Sequence, residues 1–133
     1  AKAAKADGVH VGLSDMGIEK ARALLGEDYI IGGSAHNVQE ALEAQRAGAD
    51  YIGCGAVFGS STKSDVTALP HEELKAICQA VDIPVVAIGG IHEGNIAQLA
   101  GVGIDGVAVV SALFAKEDKR AAAETLLKAA KQL

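Results

Sequence analysis

The sequence contains no tryptophan, few other aromatic residues and only two cysteines. Aromatic residues make up 3% of the chain, which argues against a surface that stacks nucleic-acid bases. The 12 Lys and Arg residues form no basic run, and with 17 Asp and Glu residues the net charge is −5. Nucleic acids and anionic membrane surfaces are therefore poor candidate partners.

Long apolar runs are also missing. No stretch approaches the roughly 20 residues that a transmembrane helix needs, and the Ala/Lys-rich start lacks the apolar core of a signal peptide. We therefore expect a cytoplasmic location and no membrane partner. Cys54 and Cys78 lie in a predicted strand and a predicted helix, so we expect reduced, buried thiols rather than a disulfide or a nucleophile.

Hydrophobic residues are plentiful, at 50% of the 133 residues, and predict one domain over residues 1–133. The predicted strands cover residues 8–12, 29–33 and 50–55 and the segments around Val86 and Val109. The predicted helices cover residues 17–25, 37–47, 71–80, 95–99, 112–115 and 117–131. This regular alternation of strand and helix predicts a parallel sheet.

A short signature recurs at the start of every second predicted strand, where Asp7, Asp50 and Asp105 stand. Alternate strands fill the same layer of side chains inside a (β/α)8 barrel, so the recurrence favours a barrel over an open doubly wound sheet. Chance similarity is the alternative explanation. Five βα units are three fewer than a closed barrel contains.

Two apolar runs near the C-terminus each end in small residues, the first in Gly89-Gly90 and the second in Val110-Ser111. In a parallel sheet both endings lie at the carboxyl edge, where backbone N–H groups can converge on an anion. A short helix after the second ending fits the phosphate sites of barrels. We therefore predict a phosphate-bearing ligand, with a simple tight turn as the alternative for the glycine pair.

Six segments occur in the order and at the spacings of the thiamine phosphate synthase family. They are residues 12–15 (GLSD), 31–36 (IGGSAH), 49–55 (ADYIGCG), 60–63 (SSTK), 86–91 (VAIGGI) and 105–111 (DGVAVVS). The chain resembles the C-terminal portion of this family, from about the fourth strand onward. The resemblance implies a TIM-barrel fold, present here as a partial barrel of about five βα units.

The same resemblance implies a transferase of thiamine biosynthesis. Its substrates would be hydroxymethyl aminopyrimidine pyrophosphate and thiazole phosphate, which are joined with release of pyrophosphate. The implied partners are these small phosphorylated molecules, together with self-association or an N-terminal half that completes the barrel. Two alternatives stay open: a thiazole tautomerase-like relative, and a catalytically silent phosphate-binding fragment.

For the pyrophosphate half of the site, the resemblance assigns Asp15 as a ligand of a Mg2+ cofactor and Ser34 and Lys63 as the catalytic residues. Ser34, Ser60, Thr62 and Lys63 would bind the substrate that carries pyrophosphate. Without the resemblance, Asp15 is better explained as a helix cap, residues 60–63 are typical of a solvated turn, and Ser34 is equally well explained as a polar loop residue.

For the thiazole half, the resemblance assigns Gly90 and Ser111 to the phosphate and a backbone contact at Val110 to the thiazole. Glycine allows close approach of the backbone, and serine adds a hydroxyl group. His36 is excluded from the candidate set because a single loop histidine is more often structural than catalytic.

Overall fold

The computed structural model describes residues 1–59 and 68–133. These residues form a five-stranded parallel sheet in which the strands are hydrogen-bonded in chain order. The strands are β1 (Gly8–Val11), β2 (Ile30–Ala35), β3 (Tyr51–Cys54), β4 (Val85–Ile88) and β5 (Gly106–Ala108). The order never reverses, as in a barrel and unlike a doubly wound sheet. The predicted partial barrel of five βα units is confirmed.

The helices follow the predicted pattern closely. They are α1 (Ile18–Leu25), α2 (Val38–Arg46), α3 (His71–Ala80), α4 (Ser111–Phe114) and α5 (Lys119–Ala130), with a 3-10 helix at Ile96–Leu99. Several strand ends differ from prediction, and β1 and β3 each end one residue early, at Val11 and Cys54. The β2 strand extends to Ala35, and β5 ends at Ala108 although the apolar run continues, because Val110 (φ −122°, ψ −73°) already precedes α4.

The start of α2 shows how local sequence sets an element. The Asn37 side chain accepts a hydrogen bond of 2.8 Å from the N–H of Glu40, as is typical of an N-cap residue. The carboxylate of Glu40 accepts from the N–H of His36 at 2.7 Å, one residue earlier than in a standard capping box. His36 also places its ring Nδ1 3.1 Å from the same carboxylate, which gives it a structural role at this helix start.

The helices cover one face of the sheet, and the hydrophobic core lies between the helices and this face. Its buried strand residues are Ile31, Ala35, Ile52, Cys54, Val85 and Ala87. Burial raises the pKa of Cys54 to about 12, and both Cys54 and half-buried Cys78 are free thiols. These cysteines therefore belong to the packing, as expected.

The opposite face of the sheet would line the interior of a closed barrel. Here Ile30 is 53% and Ile88 40% exposed, and β1 and β5 each pair with a single neighbour. A complete barrel covers such exposed apolar side chains, and it pairs strand edges that lack a second neighbour among the described residues. No helix in the described ranges is both long enough and apolar enough to cross a membrane.

The repeated aspartates lie at the amino-terminal edge of the sheet. Asp50 accepts a hydrogen bond of 2.8 Å from the N–H of Ile31, and Asp105 accepts one of 2.8 Å from the N–H of Val85. Each carboxylate thus binds the first residues of the preceding strand. Two of the three repeated aspartates therefore join neighbouring strands at this edge.

Candidate active site at the carboxyl ends of the strands

A tight turn after β1 holds Asp15. Its N–H donates to the carbonyl oxygen of Gly12 at 3.1 Å, and its Oδ2 accepts from the N–H of Gly12 at 2.7 Å. Helix α1 begins only at Ile18, with Gly17 at the N-cap. The helix-cap explanation of Asp15 is therefore wrong, and the exposed carboxylate belongs to the turn.

The Asp15 carboxylate fits a magnesium ion that takes most of its coordinating oxygens from the substrate and from water. Among the described residues there is no cluster of three or more His, Cys, Asp or Glu side chains that could hold a metal. Magnesium commonly uses one or two carboxylates together with substrate phosphate oxygens and water. Asp15 can supply one such carboxylate.

One cavity brings Asp15 and Ser34 together. It has a volume of about 190 Å³ and lies between the loop after β1 and helix α2. Leu13 and Met16, which are 56% and 47% exposed, form part of its apolar wall. Two residues that the resemblance assigned to the pyrophosphate half thus line the same space.

Ser34 is hydrogen-bonded to a histidine that sequence reasoning missed. His10, in β1, places Nε2 3.0 Å from Oγ of Ser34 and Nδ1 3.0 Å from the hydroxyl of Tyr51. Burial lowers the pKa of His10, partly opposed by the charge of Asp15, and this shift favours the neutral form of the ring. Strand alternation was the available signal, because it places Gly32 and Ser34 on the same face of β2. The register pairs His10 with Gly32, so His10 also lies on that face.

Glycines on the neighbouring strands make room for this histidine and tyrosine. A Cβ on Gly53 would lie 2.9 Å from Cε1 of His10, and a Cβ on Gly32 would overlap the ring of Tyr51. The two rings lie 5.5 Å apart between centroids, at an interplanar angle of 34°. Side chains from β1, β2 and β3 therefore meet over two strand glycines.

The glycine pair after β4 packs against the loop after β3. Gly89 and Gly90 have φ values of 104° and 66°, in the left-handed region that favours glycine. A Cβ on Gly89 would lie 2.5 Å from Cα of Ala56, and one on Gly90 would lie 2.9 Å from the carbonyl oxygen of Gly59. Both the turn and the close backbone approach are thus present, and each requires glycine.

Asn95 holds the same loop and was also missed in the sequence. Its Nδ2 donates to the carbonyl oxygen of Gly90 at 2.9 Å, and its Oδ1 accepts from the N–H of His92 at 2.9 Å. A side-chain amide can make both bonds because it has a donor and an acceptor side by side. The two hydrogen bonds of Asn95 therefore stabilise the conformation of the loop that contains Gly90.

The second predicted strand ending lies beside this loop. The register pairs Ile88 of β4 with Ala108 of β5, and Gly90 and Val110 each follow two residues after these paired positions. Val110 is 62% exposed, and Ser111, also exposed, begins α4. Gly90, Val110 and Ser111 thus share the carboxyl edge of β4 and β5. The other predicted residues, Ser60, Thr62 and Lys63, lie outside the described part of the chain.

Comparison with known proteins gives a consistent result. A family described as thiamine monophosphate synthase matches residues 1–113. The thiamine-phosphate synthase of Methanobrevibacter smithii is 55% identical over 128 residues, which are 96% of this chain and 61% of that protein. That of Fusobacterium nucleatum is 50% identical over 127 residues, or 96% of this chain and 62% of the relative. The chain therefore spans about three fifths of the length of these relatives.

Solved structures agree with the sequence relatives. The thiamine phosphate pyrophosphorylase of Pyrococcus furiosus superposes with a TM-score of 0.90 at 44% identity, over 98% of this chain and 62% of that protein. A 3-hexulose-6-phosphate synthase, 21% identical with a TM-score of 0.72, covers 97% of this chain and 64% of its own, and shows the shared fold alone. The family match over most of the residues, with these identities, shows that the chain belongs to the thiamine monophosphate synthase family.

Proposed function

We propose that this chain forms the part of a thiamine phosphate synthase that binds thiazole phosphate and makes some of the contacts to the leaving pyrophosphate. The enzyme would transfer the pyrimidinylmethyl group from pyrophosphate to the thiazole nitrogen. The observation that carries the proposal is that Asp15, Ser34 and Gly90 all lie at the carboxyl ends of the strands, where barrel enzymes bind their substrates.

The thiazole phosphate would bind at the edge formed by Gly90, Val110 and Ser111. Two left-handed glycines give a phosphate access to the backbone, and the exposed Ser111 hydroxyl can donate a further hydrogen bond. The backbone of Val110, an exposed residue, would contact the thiazole ring, as the resemblance assigns. Asn95 would keep the loop in this shape through its bond to the carbonyl oxygen of Gly90.

The pyrophosphate would bind near Asp15 and Ser34, with Ser60, Thr62 and Lys63 as further ligands assigned by the family resemblance. Bound Mg2+ would offset the charge that develops on the departing pyrophosphate. Asp15 would contribute a carboxylate to that ion, and Ser34 would donate a hydrogen bond to a phosphate oxygen.

The reaction asks little acid–base chemistry of these residues. As the C–O bond breaks, both its electrons leave with pyrophosphate, and the electron-rich aminopyrimidine stabilises the methylene cation that remains. The thiazole nitrogen then forms the new C–N bond with its lone pair. A site of glycines, hydroxyls and one carboxylate suits this chemistry, because its task is to position two substrates and stabilise the leaving group.

The exposed face of the sheet supports a second element of the proposal, as do the edges of β1 and β5, which have no second partner strand in the described part of the chain. Further βα units, on the same protein or another chain, would pair with these edges and cover Ile30 and Ile88. They would also supply the remaining pyrophosphate contacts. Without them, copies of the chain should self-associate through the same surfaces.

Complementation tests this proposal directly. The 133-residue chain would be assayed for thiamine phosphate formation alone and with a polypeptide carrying the remaining part of the Methanobrevibacter smithii relative. We expect thiazole phosphate binding by the chain alone, with turnover at least about 100-fold below that of the mixture, because contacts to the leaving group are missing. Absence of thiazole phosphate binding in both samples would contradict the proposal.

Lys63 gives a narrower prediction for the pyrophosphate half. Lys63→Ala should weaken Mg2+-dependent pyrophosphate binding by about 10-fold, and inorganic phosphate much less, since a charged hydrogen bond to the leaving group is lost. Calorimetry with both anions measures the difference, and Lys75→Ala, an exposed lysine of α3, serves as the control. Equal losses for both anions would remove Lys63 from this site.

A further inference from the structure

The imidazole of His10 lies between two hydroxyl groups, each 3.0 Å from one ring nitrogen. A neutral imidazole donates through one nitrogen and accepts through the other. One hydroxyl must therefore donate to the ring while the other accepts from it. Two arrangements satisfy the distances, and they differ in the direction of the Ser34 O–H bond.

The acidity of the two hydroxyls distinguishes the arrangements. The phenol of tyrosine has a pKa of about 10, far below that of an alkyl hydroxyl, and so it is the better donor and the weaker acceptor. The favoured chain runs from Tyr51 O–H to Nδ1 of His10, and from Nε2–H of His10 to Oγ of Ser34. Bonds in such a chain polarise one another in the same direction.

We propose that Tyr51 and His10 are positioning residues that leave the proton of Ser34 free for an oxygen of the bound pyrophosphate. The inference rests on the proposed function, because that function places the pyrophosphate near Ser34. In the reverse arrangement Ser34 donates to the ring and presents only lone pairs to the anion. The direction of these bonds thus decides whether Ser34 attracts or repels a phosphate oxygen.

The surroundings hold the three side chains in this geometry before any ligand binds. Tyr51 and Ser34 are half-buried, and the ring of the more exposed His10 lies against Gly53 while that of Tyr51 lies against Gly32. Each side chain comes from a different strand of the rigid sheet. A hydroxyl that is already aimed costs less to order on binding than one that rotates freely.

Nitrogen NMR of the histidine rings tests the direction of the bonds without any ligand. The His10 signals would be assigned by their absence from His10→Gln. We expect the Nε2–H tautomer in the unchanged chain and a mixture of tautomers in Tyr51→Phe, which lacks the donating hydroxyl. Tyr29→Phe, the same change at the other tyrosine, should leave the tautomer unaltered. A dominant Nδ1–H tautomer in the unchanged chain would overturn the inference.

Pyrophosphate binding in the presence of magnesium tests the consequence for Ser34. Ser34→Ala should weaken binding by about 10-fold. Tyr51→Phe should weaken it by about 3-fold, because the Ser34 O–H would then donate to His10 in part of the molecules and to pyrophosphate only in the rest. In the Ser34→Ala background, Tyr51→Phe should have no further effect. A merely structural role for Tyr51 would instead lower affinity equally in both backgrounds. His10→Gln, which keeps a donor and an acceptor, should bind better than His10→Leu.

The two measurements separate this inference from the proposed function. Thiazole phosphate binding does not involve Ser34. If the unchanged chain fails to bind thiazole phosphate, that result counts against the proposed function alone. If thiazole phosphate binds and the tautomer is Nε2–H, but Ser34→Ala binds pyrophosphate as tightly as the unchanged chain, the positioning inference is overturned while the thiazole half of the function stands.

Discussion

Acidic side chains lie at both ends of the sheet, but their surroundings differ. At the amino-terminal end, Asp50 and Asp105 accept hydrogen bonds from backbone N–H groups of the neighbouring strands. At the carboxyl-terminal end, Asp15 bonds only within its own turn among the described residues. The first arrangement joins strands to one another, whereas the second leaves an oxygen for a ligand.

The amino-terminal end is also fastened by Arg22, whose side chain is 15% exposed. Its guanidinium donates to the carbonyl oxygens of Gly26, Tyr29 and Gly48 and to the carboxylate of Asp50, at 2.6 to 3.1 Å. One side chain thus closes the ends of α1 and α2 onto β2 and β3. The carboxyl-terminal end has exposed hydroxyls and glycines instead, which agrees with the general division of barrels into a stabilising and a reactive end.

Substitution of Gly90 in the loop after β4 should have the largest effect on stability. It should also affect binding, so it does not separate a stabilising end of the sheet from a reactive one. Gly90→Val should destabilise the fold by about 3 kcal/mol, because φ is positive and the new Cβ faces the loop after β3. Phosphate binding should be lost as well. Gly90 is therefore both a structural and a binding residue, so its variant alone does not identify the anion site.

Ser111→Ala separates the two effects at that edge. Its exposed side chain makes stability insensitive to the change, within about 0.5 kcal/mol, while phosphate affinity should fall by about 10-fold. Urea unfolding and calorimetry measure the two quantities. Unchanged phosphate affinity in Ser111→Ala would place the anion elsewhere.

Arg22→Ala should give the next largest effect and sharpen the division. Removing the guanidinium leaves three carbonyl oxygens and the Asp50 carboxylate without their partner, and should destabilise the fold by about 2 kcal/mol, with Asp50 half exposed. Thiazole phosphate affinity of the folded chain should not change. Arg46→Ala, an exposed arginine of α2, is the control and should cost little. An affinity loss in Arg22→Ala would contradict the division.

The smallest expected effect is a difference in pH dependence between the two ends. The N–H of Ile31, followed by Arg22, lowers the pKa of Asp50 below its ordinary 3.8. Its stabilisation is therefore complete above that pH and is lost as pH falls through the lower folded-state pKa. Burial lowers the pKa of His10 below 6.5, so the unfolded chain binds a proton first, and stability declines as pH falls from 6.5 toward the folded-state pKa.

Unfolding curves from pH 3 to 8 would separate the two groups. Asp50→Asn should flatten the acidic part of the profile, and His10→Gln the part just below 6.5. An unchanged profile in either variant would show that another group titrates in that range.

Much of the fold followed from local patterns in the sequence. Helix α3 spans His71–Ala80, the predicted range, and α2 lies within the predicted range of 37–47. The end of β5 could not be read from its apolar run, because the backbone turns into α4 while the residues remain hydrophobic. Strand boundaries depend on neighbouring strands, which a local pattern does not contain.

The candidate site shows the same limit more clearly. Asp15 and Ser34 were found through motifs, and the structure places them on one cavity. His10 was missed because its partners lie on two other strands, and Asn95 because its bonds to Gly90 and His92 depend on how the loop folds back on itself.

The sequence by itself determined the alternation of strands and helices, the glycines at the β4 ending and membership of a family. These depend on residue type and on spacing along the chain. Only the tertiary structure decided that Asp50 stabilises the sheet while Asp15 faces a cavity, and that His10 lies between Tyr51 and Ser34. The physical reason is that the register of parallel strands sets which side chains meet across the sheet, and residues 24 and 41 positions apart become neighbours only when that register forms.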